Sequence, residues 1–317
     1  MRNLISRFLR SEKGQVIVIL ALAFTVLLGF VGLAVDTGVM YLEHNRLVRA
    51  ADAAALAGAQ ELPANPSLAE EMAGEYAAMN GIEPEQLSIN ISDDNKSISV
   101  SADKTVNLVF AKVFGFDSRQ VSTEVSASVA AVKSLRGAVP FSVMEQVFNY
   151  GDPYVLKEGA SGSTSDGARW CGWFGALDFT GGGGGAHEYE DMIVQGFSGK
   201  ISIGDIIYIE PGNMAGPTAD GVQQRIDSCT HTPSCTWNNH DPDCPRVIYV
   251  PIVEEYSGSG GNRQVKVVGF AAFFLEGVEN HEGNNGDVVG RFIFETVSAE
   301  TDDSIDGYGL LSVKLLE

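Results

Sequence analysis

The sequence predicts an α+β protein in which a long N-terminal helix is followed by a small α-β-β-α-β domain and a mainly β region. Three observations predict this organisation. An uncharged apolar stretch runs from Gln15 to Val35 and continues into an Ala-rich helical pattern. Over residues 63–135, stretches with apolar residues at helical spacing and stretches with apolar residues at alternate positions follow one another. Over residues 136–317 short alternating stretches and many glycines replace the helical signal.

The length, composition and net charge of the chain exclude some classes of protein. The chain has 317 residues, which suggests about two domains. Its hydrophobic content of 44% excludes a wholly disordered chain. Lys and Arg number 21 against 41 Asp and Glu, for a net charge of −20. Because affinity for nucleic acid comes from cations that neutralise phosphates, we expect no nucleic acid partner.

The apolar stretch predicts a membrane span. A helix from Gln15 to Val35 would be roughly 30 Å long, the thickness of the hydrocarbon core of a bilayer. The stretch is longer than the apolar core of a cleavable signal, about 7–15 residues, and more helix follows it. We therefore expect a retained single-pass anchor in contact with lipid of the cell membrane. The basic flank, residues 1–13, is expected in the cytoplasm and residues 36–317 are expected outside.

Small residues line one face of this helix. In lipid, such a face lets helix backbones approach closely, so it is a candidate surface for packing against another membrane helix. Small residues are also common in membrane helices and in Ala-rich helices generally, and that alternative stays open. The members of the candidate face are Ala21, Thr25, Gly29, Gly32, Ala50, Ala54 and Gly58.

Residues 14–62 carry a family resemblance. Gly14 opens the apolar stretch, Val35-Asp36-x-Gly38 closes it, Tyr41-Leu42 follows, and an Ala-rich block covers residues 50–59. This combination resembles the N-terminal module of TadG-like proteins of the tight-adherence (Flp-type) pilus assembly system. The resemblance implies a membrane-anchored accessory protein of an extracellular filament or adhesion machine. Its implied partners are other pilus assembly proteins or membrane helices.

Residues 63–135 predict the small domain. Ser67 and Glu70 have the spacing of a capping box at a helix start, and Gly81 marks the end of that helix. Pro63 and Pro66 end the long helix before it. The predicted elements are a helix from Ser67 to Asn80, a hairpin over 87–100, a helix over Val106–Phe114 ended by Gly115, and a strand over Val121–Val129.

Residues 136–317 predict the β-rich domain. One short helix is expected over Thr218–Ser228, with Thr218 as its N-cap. The five glycines from Gly181 to Gly185 are interpreted as a flexible turn. Strands are expected near 141–149, 172–179, 201–210, 246–253, 264–275, 288–297 and 309–315.

All the cysteines of the chain lie in this β-rich domain, at Cys171, Cys229, Cys235 and Cys244. An even number outside the cytoplasm favours two disulfides, for which three pairings are possible. Zinc is the alternative, because His231 and His240 lie among the cysteines. The spacing matches neither C-x₂-C nor H-x₃-H, so disulfides are preferred; free thiols are the third possibility.

Catalytic motifs are missing from the sequence. It contains no G-x-S-x-G, and His187-Glu188 does not continue into H-E-x-x-H because residue 191 is Asp. The D-x-S-x-S metal motif of longer members of the resembled family is also missing. We therefore expect a non-enzymatic protein without a cofactor. The alternatives are a membrane-tethered extracytoplasmic hydrolase and a surface sensor that binds calcium or another ligand through its acidic loops.

Overall fold

The computed structural model describes residues 12–157, 175–181, 185–210, 212, 214–257, 263–279, 286–302 and 307–316, with the backbone alone for residues 12–15. The chain divides into two compact units between Ser128 and Val129, and Leu315 onwards returns to the first unit. The division lies inside a strand, whereas the sequence interpretation placed the domain boundary between residues 135 and 136.

The α+β class predicted from the sequence is confirmed. The helices are α1 (Glu12–Gln60), α2 (Pro66–Met79), α3 (Gly185–Gln195) and α4 (Ala215–Asp227), with 3₁₀ helices at Pro84–Gln86 and Ala111–Phe114. The strands are β1 (Leu87–Ile91), β2 (Ser97–Asn107), β3 (Ser118–Arg136), β4 (Val143–Met144), β5 (Pro153–Lys157), β6 (Leu177–Asp178), β7 (Lys200–Ser202), β8 (Ile206–Ile209), β9 (Val247–Ser257), β10 (Gln264–Glu279), β11 (Asp287–Ile293), β12 (Glu295–Thr296), β13 (Glu300–Asp302) and β14 (Leu310–Leu316).

In the first unit the Ala-rich part of α1 packs closely against α2. Ala54 on α1 and Ala73 on α2 are completely buried. At Gly58 the backbones are so close that an added Cβ would lie 2.7 Å from the carbonyl oxygen of Ala69. The Ala-rich block therefore serves contact between helices of this same chain, because only small side chains permit such a short separation.

Helix α2 starts one residue earlier than the sequence predicts. Asn65, not Ser67, is the N-cap, and its side-chain oxygen accepts a hydrogen bond from the backbone N–H of Leu68 at 3.2 Å. Pro66 takes the first helical position, where a missing N–H costs nothing and the fixed φ of proline suits the helix. The predicted capping box at Ser67 is therefore wrong.

Strands β1, β2 and the first half of β3 form an antiparallel sheet in the first unit. The predicted helix over Val106–Phe114 is wrong in its first half, because Val106 extends β2 and pairs with Arg119 of β3. Sheet pairing satisfies the backbone of these residues and thus overrides the local helical pattern. A short 3₁₀ helix, Ala111–Phe114, remains, and Gly115 ends it at φ +87° as expected.

The second unit is built on a sheet of order β4-β9-β10-β11-β5, and β8 adds to one end of β10. Strand β10 is buried on both faces. Phe273 packs under helices α3 and α4 with Tyr189 and Val222. Phe274, on the opposite face, packs against a cluster that includes Cys244. The residues of β3 from Val129 onwards pair with β7 and β13 in this unit.

The second unit also departs from the sequence interpretation. Helix α3 was missed, because Tyr189 and Ile193 are the only buried residues in it and two positions make a weak periodic signal. Strand β5 was missed too. Thr218 is not a cap: it lies inside α4, fully buried, with its hydroxyl 3.5 Å from the hydroxyl of Tyr189. The strand expected over 141–149 is reduced to β4.

Candidate functional site

The first half of α1 is apolar on every side. In the part of the chain that the structure describes, one helix is long and apolar enough to cross a membrane, and its most apolar window has a mean hydropathy of 2.9. Large side chains around its circumference are exposed, for instance Leu27 at 60% and Phe30 at 67%. A helix that is apolar all round and covered by protein at few positions suits a lipid environment.

Asp36 follows this span and binds a loop from the first unit. Its side chain is only 3% exposed. One carboxylate oxygen accepts a hydrogen bond from the backbone N–H of Val109 at 2.8 Å, and the other accepts from Phe110 at 3.0 Å and Ala111 at 2.7 Å. Burial raises the pKa of the Asp36 carboxyl, but the three N–H donors outweigh it and hold the pKa below its ordinary value.

Gly32 lies one turn before Asp36 and contacts the same loop. A Cβ added at Gly32 would lie 2.7 Å from the Cβ of Phe110, so only glycine allows the present approach. Gly32, a member of the predicted small-residue face, therefore packs against a loop of its own chain. Gly32 and Asp36 together hold the loop against α1. Gly32 allows the close approach because it has no side chain, and Asp36 binds the loop by hydrogen bonds.

The loop held in this way exposes a group of large apolar side chains, which we call the apolar foot. Its exposed fractions are 62% for Val109, 44% for Phe110, 84% for Val113, 72% for Phe114 and 63% for Phe116. A groove of about 370 Å³ lies between the foot and residues Thr25, Leu28, Gly29 and Leu33 of α1. Contiguous exposure of this kind marks an interaction surface.

The backbone of the foot is largely satisfied by the chain itself. Besides the three N–H groups bound by Asp36, Leu108 donates to the carbonyl of Asp117 at 3.0 Å, and Phe116 donates to Ala111 at 3.1 Å. Val113 and Gly115 donate to carbonyls within the same turn. This matters because an unsatisfied backbone group is costly in hydrocarbon, where water is not available to bind it.

An ion pair links α1 to the sheet further along the helix. The Glu43 carboxylate lies 2.8 Å from the Lys104 ammonium of β2 and 2.7 Å from the guanidinium of Arg46. The hydrogen bond from Lys104 lowers the pKa of Glu43, against the opposing effect of burial. This pair, the Ala-rich packing and Asp36 fix α1 to the first unit at three places.

The structure divides the small-residue face predicted for α1. Ala50, Ala54 and Gly58 are buried against the first unit, and Gly32 is covered by Phe110. The remaining members are Ala21, Thr25 and Gly29, all of them exposed. Packing against another membrane helix stays a prediction for these three. Neither the role of Asp36 nor the foot was predicted from the sequence, although the density of aromatic residues over 109–116 was a usable signal.

Three of the four candidate disulfide residues come together without bonding. The sulfur atoms of Cys229 and Cys244 are 3.7 Å apart, far longer than a disulfide of about 2.05 Å. Cys229, Cys235 and Cys244 are free thiols, and Cys171 lies outside the described residues. The disulfides expected from the sequence are therefore not formed among the three described cysteines. These three converge instead on His231.

Comparison with known proteins identifies one segment of the chain. Residues 14–61 match the family model described as putative Flp pilus-assembly TadE/G-like, which confirms the resemblance found for the N-terminal module. No curated protein and no solved structure matches the chain. The matched segment coincides with most of α1, so the match and the apolar helix together fit a membrane-anchored pilus component.

Proposed function

We propose that the chain is a single-pass, non-enzymatic component of a Tad/Flp-type pilus assembly or adhesion apparatus. One observation carries this proposal: the segment that matches the family, residues 14–61, is the helix that supplies both the apolar span and the buried face of the first unit. The basic flank stays in the cytoplasm, and both units lie on the extracytoplasmic side, where they contact partner subunits or a surface.

The apolar foot is a second membrane contact in this proposal. It faces helix residues from Thr25 to Leu33, which precede Asp36 by 3 to 11 positions. At 1.5 Å per residue, that places the foot roughly 5–16 Å inside the outer edge of the span. The foot then lies in the outer leaflet, where its exposed Phe and Val side chains suit the lipid and its backbone donors are already bound.

The two contacts have different physical roles. The span holds the chain in the membrane, because removing about 20 apolar residues from lipid is prohibitively costly. The foot restrains rotation and tilt of the first unit, because Asp36 and Gly32 fix it to one side of α1. A partner for pilus assembly would therefore meet this unit in a defined orientation.

Support for a non-enzymatic role comes from the sequence, which lacks nucleophile and metalloprotease motifs. The main features of the first unit are the packing of α1 on α2 and the proposed contact of the foot with the membrane. Both are features of an anchored assembly protein.

The experiment for this function uses the native host. Deletion of the chain is expected to abolish pilus assembly or surface adhesion, and the full-length chain is expected to restore it. Protease added to intact spheroplasts is expected to digest both units and leave the basic flank protected. Normal piliation and adhesion in the deletion strain, or recovery of the mature chain from the medium, would contradict the proposal.

The position of the foot is tested by fluorescence quenching in nanodiscs. Phe114→Trp is expected to be quenched strongly by lipids brominated on their acyl chains. The matched control is Tyr76→Trp, which lies on the exposed side of α2 in the same unit and has the same background from the native tryptophans. Equally weak quenching of the two variants would show that the foot lies outside the lipid.

A further inference from the structure

Four potential metal ligands converge in the second unit. Cys229 follows helix α4, His231 and Cys235 lie in the loop after it, and Cys244 precedes β9. One donor atom from each of the four lies within 4.8 Å of the others. The pattern is Cys-x-His-x₃-Cys-x₈-Cys, which no common zinc motif follows, so the spacing alone favours disulfides.

The distances between donor atoms suit a tetrahedral metal. Bond lengths of about 2.3 Å to sulfur and 2.05 Å to nitrogen give about 3.8 Å between two sulfur ligands and about 3.6 Å between sulfur and nitrogen. The Cys229 and Cys244 sulfurs are 3.7 Å apart. The Nδ1 atom of His231 lies 3.4 Å from the sulfur of Cys235 and 3.7 Å from that of Cys229.

The other nitrogen of His231 is held by carboxylates. Nε2 lies 3.2 Å from an oxygen of Asp243 and 3.6 Å from an oxygen of Asp241. An Nε2–H that donates to a carboxylate leaves the lone pair on Nδ1, the atom that faces the cysteines. Histidines that bind metals are oriented in this way by a carboxylate, which also raises the basicity of the ligand.

Two of the cysteines are buried in the second unit, and backbone N–H groups are directed at the sulfur atoms of Cys229 and Cys244. The backbone N–H groups of His231 and Cys235 are directed at the sulfur of Cys229, and that of Arg246 at the sulfur of Cys244. Cys235 and Cys244 are 4% and 3% exposed and belong to the apolar cluster under β10. That cluster covers the site on one side.

We propose that Cys229, His231, Cys235 and Cys244 bind a structural Zn²⁺ ion that holds the loop over residues 228–246. Four protein ligands complete the coordination, which distinguishes a structural site from a catalytic one with an open position. Binding releases the thiol protons to water and forms three Zn–S bonds and one Zn–N bond. The loop has few apolar residues of its own, so the metal supplies the cross-link that the sequence analysis assigned to disulfides.

The test uses the full chain, purified in detergent without chelators. Elemental analysis is expected to find about one zinc ion per chain. Exchange with Co²⁺ is expected to give the intense visible bands and the thiolate charge-transfer band of a tetrahedral cysteine-rich site. Cys235→Ser and His231→Gln are expected to lose most of the zinc, whereas the control His187→Gln, an exposed histidine on α3, is expected to keep it.

Two further measurements keep the proposal falsifiable if those variants fail to fold. Asp243→Asn retains all four ligands and is expected to weaken zinc affinity roughly 10- to 100-fold. Thiols of the wild-type chain are counted after denaturation with chelator and without reductant. At least three free thiols per chain are expected; a disulfide between Cys229 and Cys244 would leave at most two. That lower count, or a reduced chain that binds neither zinc nor Co²⁺, would overturn the proposal.

Discussion

Two irregular segments of the molecule, residues 108–117 in the first unit and residues 228–246 in the second, are fixed by opposite means. In the first, one carboxylate binds three backbone N–H groups and the side chains point outward. In the second, side chains of the segment itself converge inward on one point. When a residue outside a segment binds its backbone N–H groups, the apolar side chains of that segment are free to contact a membrane. When a segment is held by its own side chains, those side chains are not available for such contact.

Metal removal is expected to give the largest difference in amide exchange between the two segments. Chelation of the full chain is expected to speed amide hydrogen exchange over 228–246 roughly 100-fold or more, because the cross-link of a loop with little apolar content is lost. Residues 108–117 are expected to keep their exchange rates. Exchange measured by mass spectrometry reports both segments at once. Unchanged exchange over 228–246 in a zinc-depleted chain would show that the metal does not hold this loop.

Removing the carboxylate is expected to produce the converse result. Asp36→Asn leaves one oxygen acceptor for three N–H donors, so amide exchange over 108–116 is expected to rise roughly 10- to 100-fold. Residues 228–246 are expected to remain unchanged. Asp52→Asn on the same helix is the control, and it is expected to change neither segment. If Asp36→Asn behaved like Asp52→Asn, packing at Gly32 and not the carboxylate would hold the foot.

The close packing of α1 on α2 gives a smaller expected effect. Gly58→Ala introduces a Cβ that would lie 2.6 Å from Ile98 and 2.7 Å from the Ala69 carbonyl, so the first unit is expected to lose about 1–3 kcal/mol of stability. Gly38→Ala is the matched control, because nothing lies within 4 Å of its added Cβ. Amide exchange of α2 measures the difference. Equal exchange in both variants would show that α1 and α2 separate more easily than their contacts indicate.

The smallest expected effect is the pH dependence of the second unit. The hydrogen bond between His240 and the Glu295 carboxylate, 3.0 Å long, raises the pKa of His240 more than burial lowers it. Stability from this pair is therefore complete below the ordinary histidine pKa of about 6.5 and is lost as the pH rises through the raised value.

Tryptophan fluorescence can follow this unit, because Trp237 belongs to it and the sequence of the first unit contains no tryptophan. The urea midpoint of the full chain is expected to fall as the pH rises from 6 to 8. His240→Gln is expected to remove that slope. A wild-type midpoint that stayed constant or rose over this interval would show that the pair does not stabilise the unit.

Several interpretations from sequence failed where distant parts of the chain compete with local pattern. Val106 fits a helical face, yet pairing with Arg119 makes it part of β2. Thr218 suits an N-cap, yet contact with Tyr189 draws it inside α4. The cysteines suit disulfides by number, yet the sulfur atoms of the three described cysteines are unbonded and lie around His231. In each case the deciding neighbour belongs to another element or to a loop without regular periodicity.

Features that depend on composition and period could be predicted from the amino-acid sequence: the apolar stretch of α1, its continuation through the Ala-rich block, the acidic character and the α+β class. The packed structure was needed to see that Asp36 binds residues 109–111, some seventy positions away. It also decided that Cys229, His231, Cys235 and Cys244 share one centre. The physical reason is that helices repeat every few residues and so can be detected locally. The convergence of side chains from separate segments depends instead on how the surrounding elements pack.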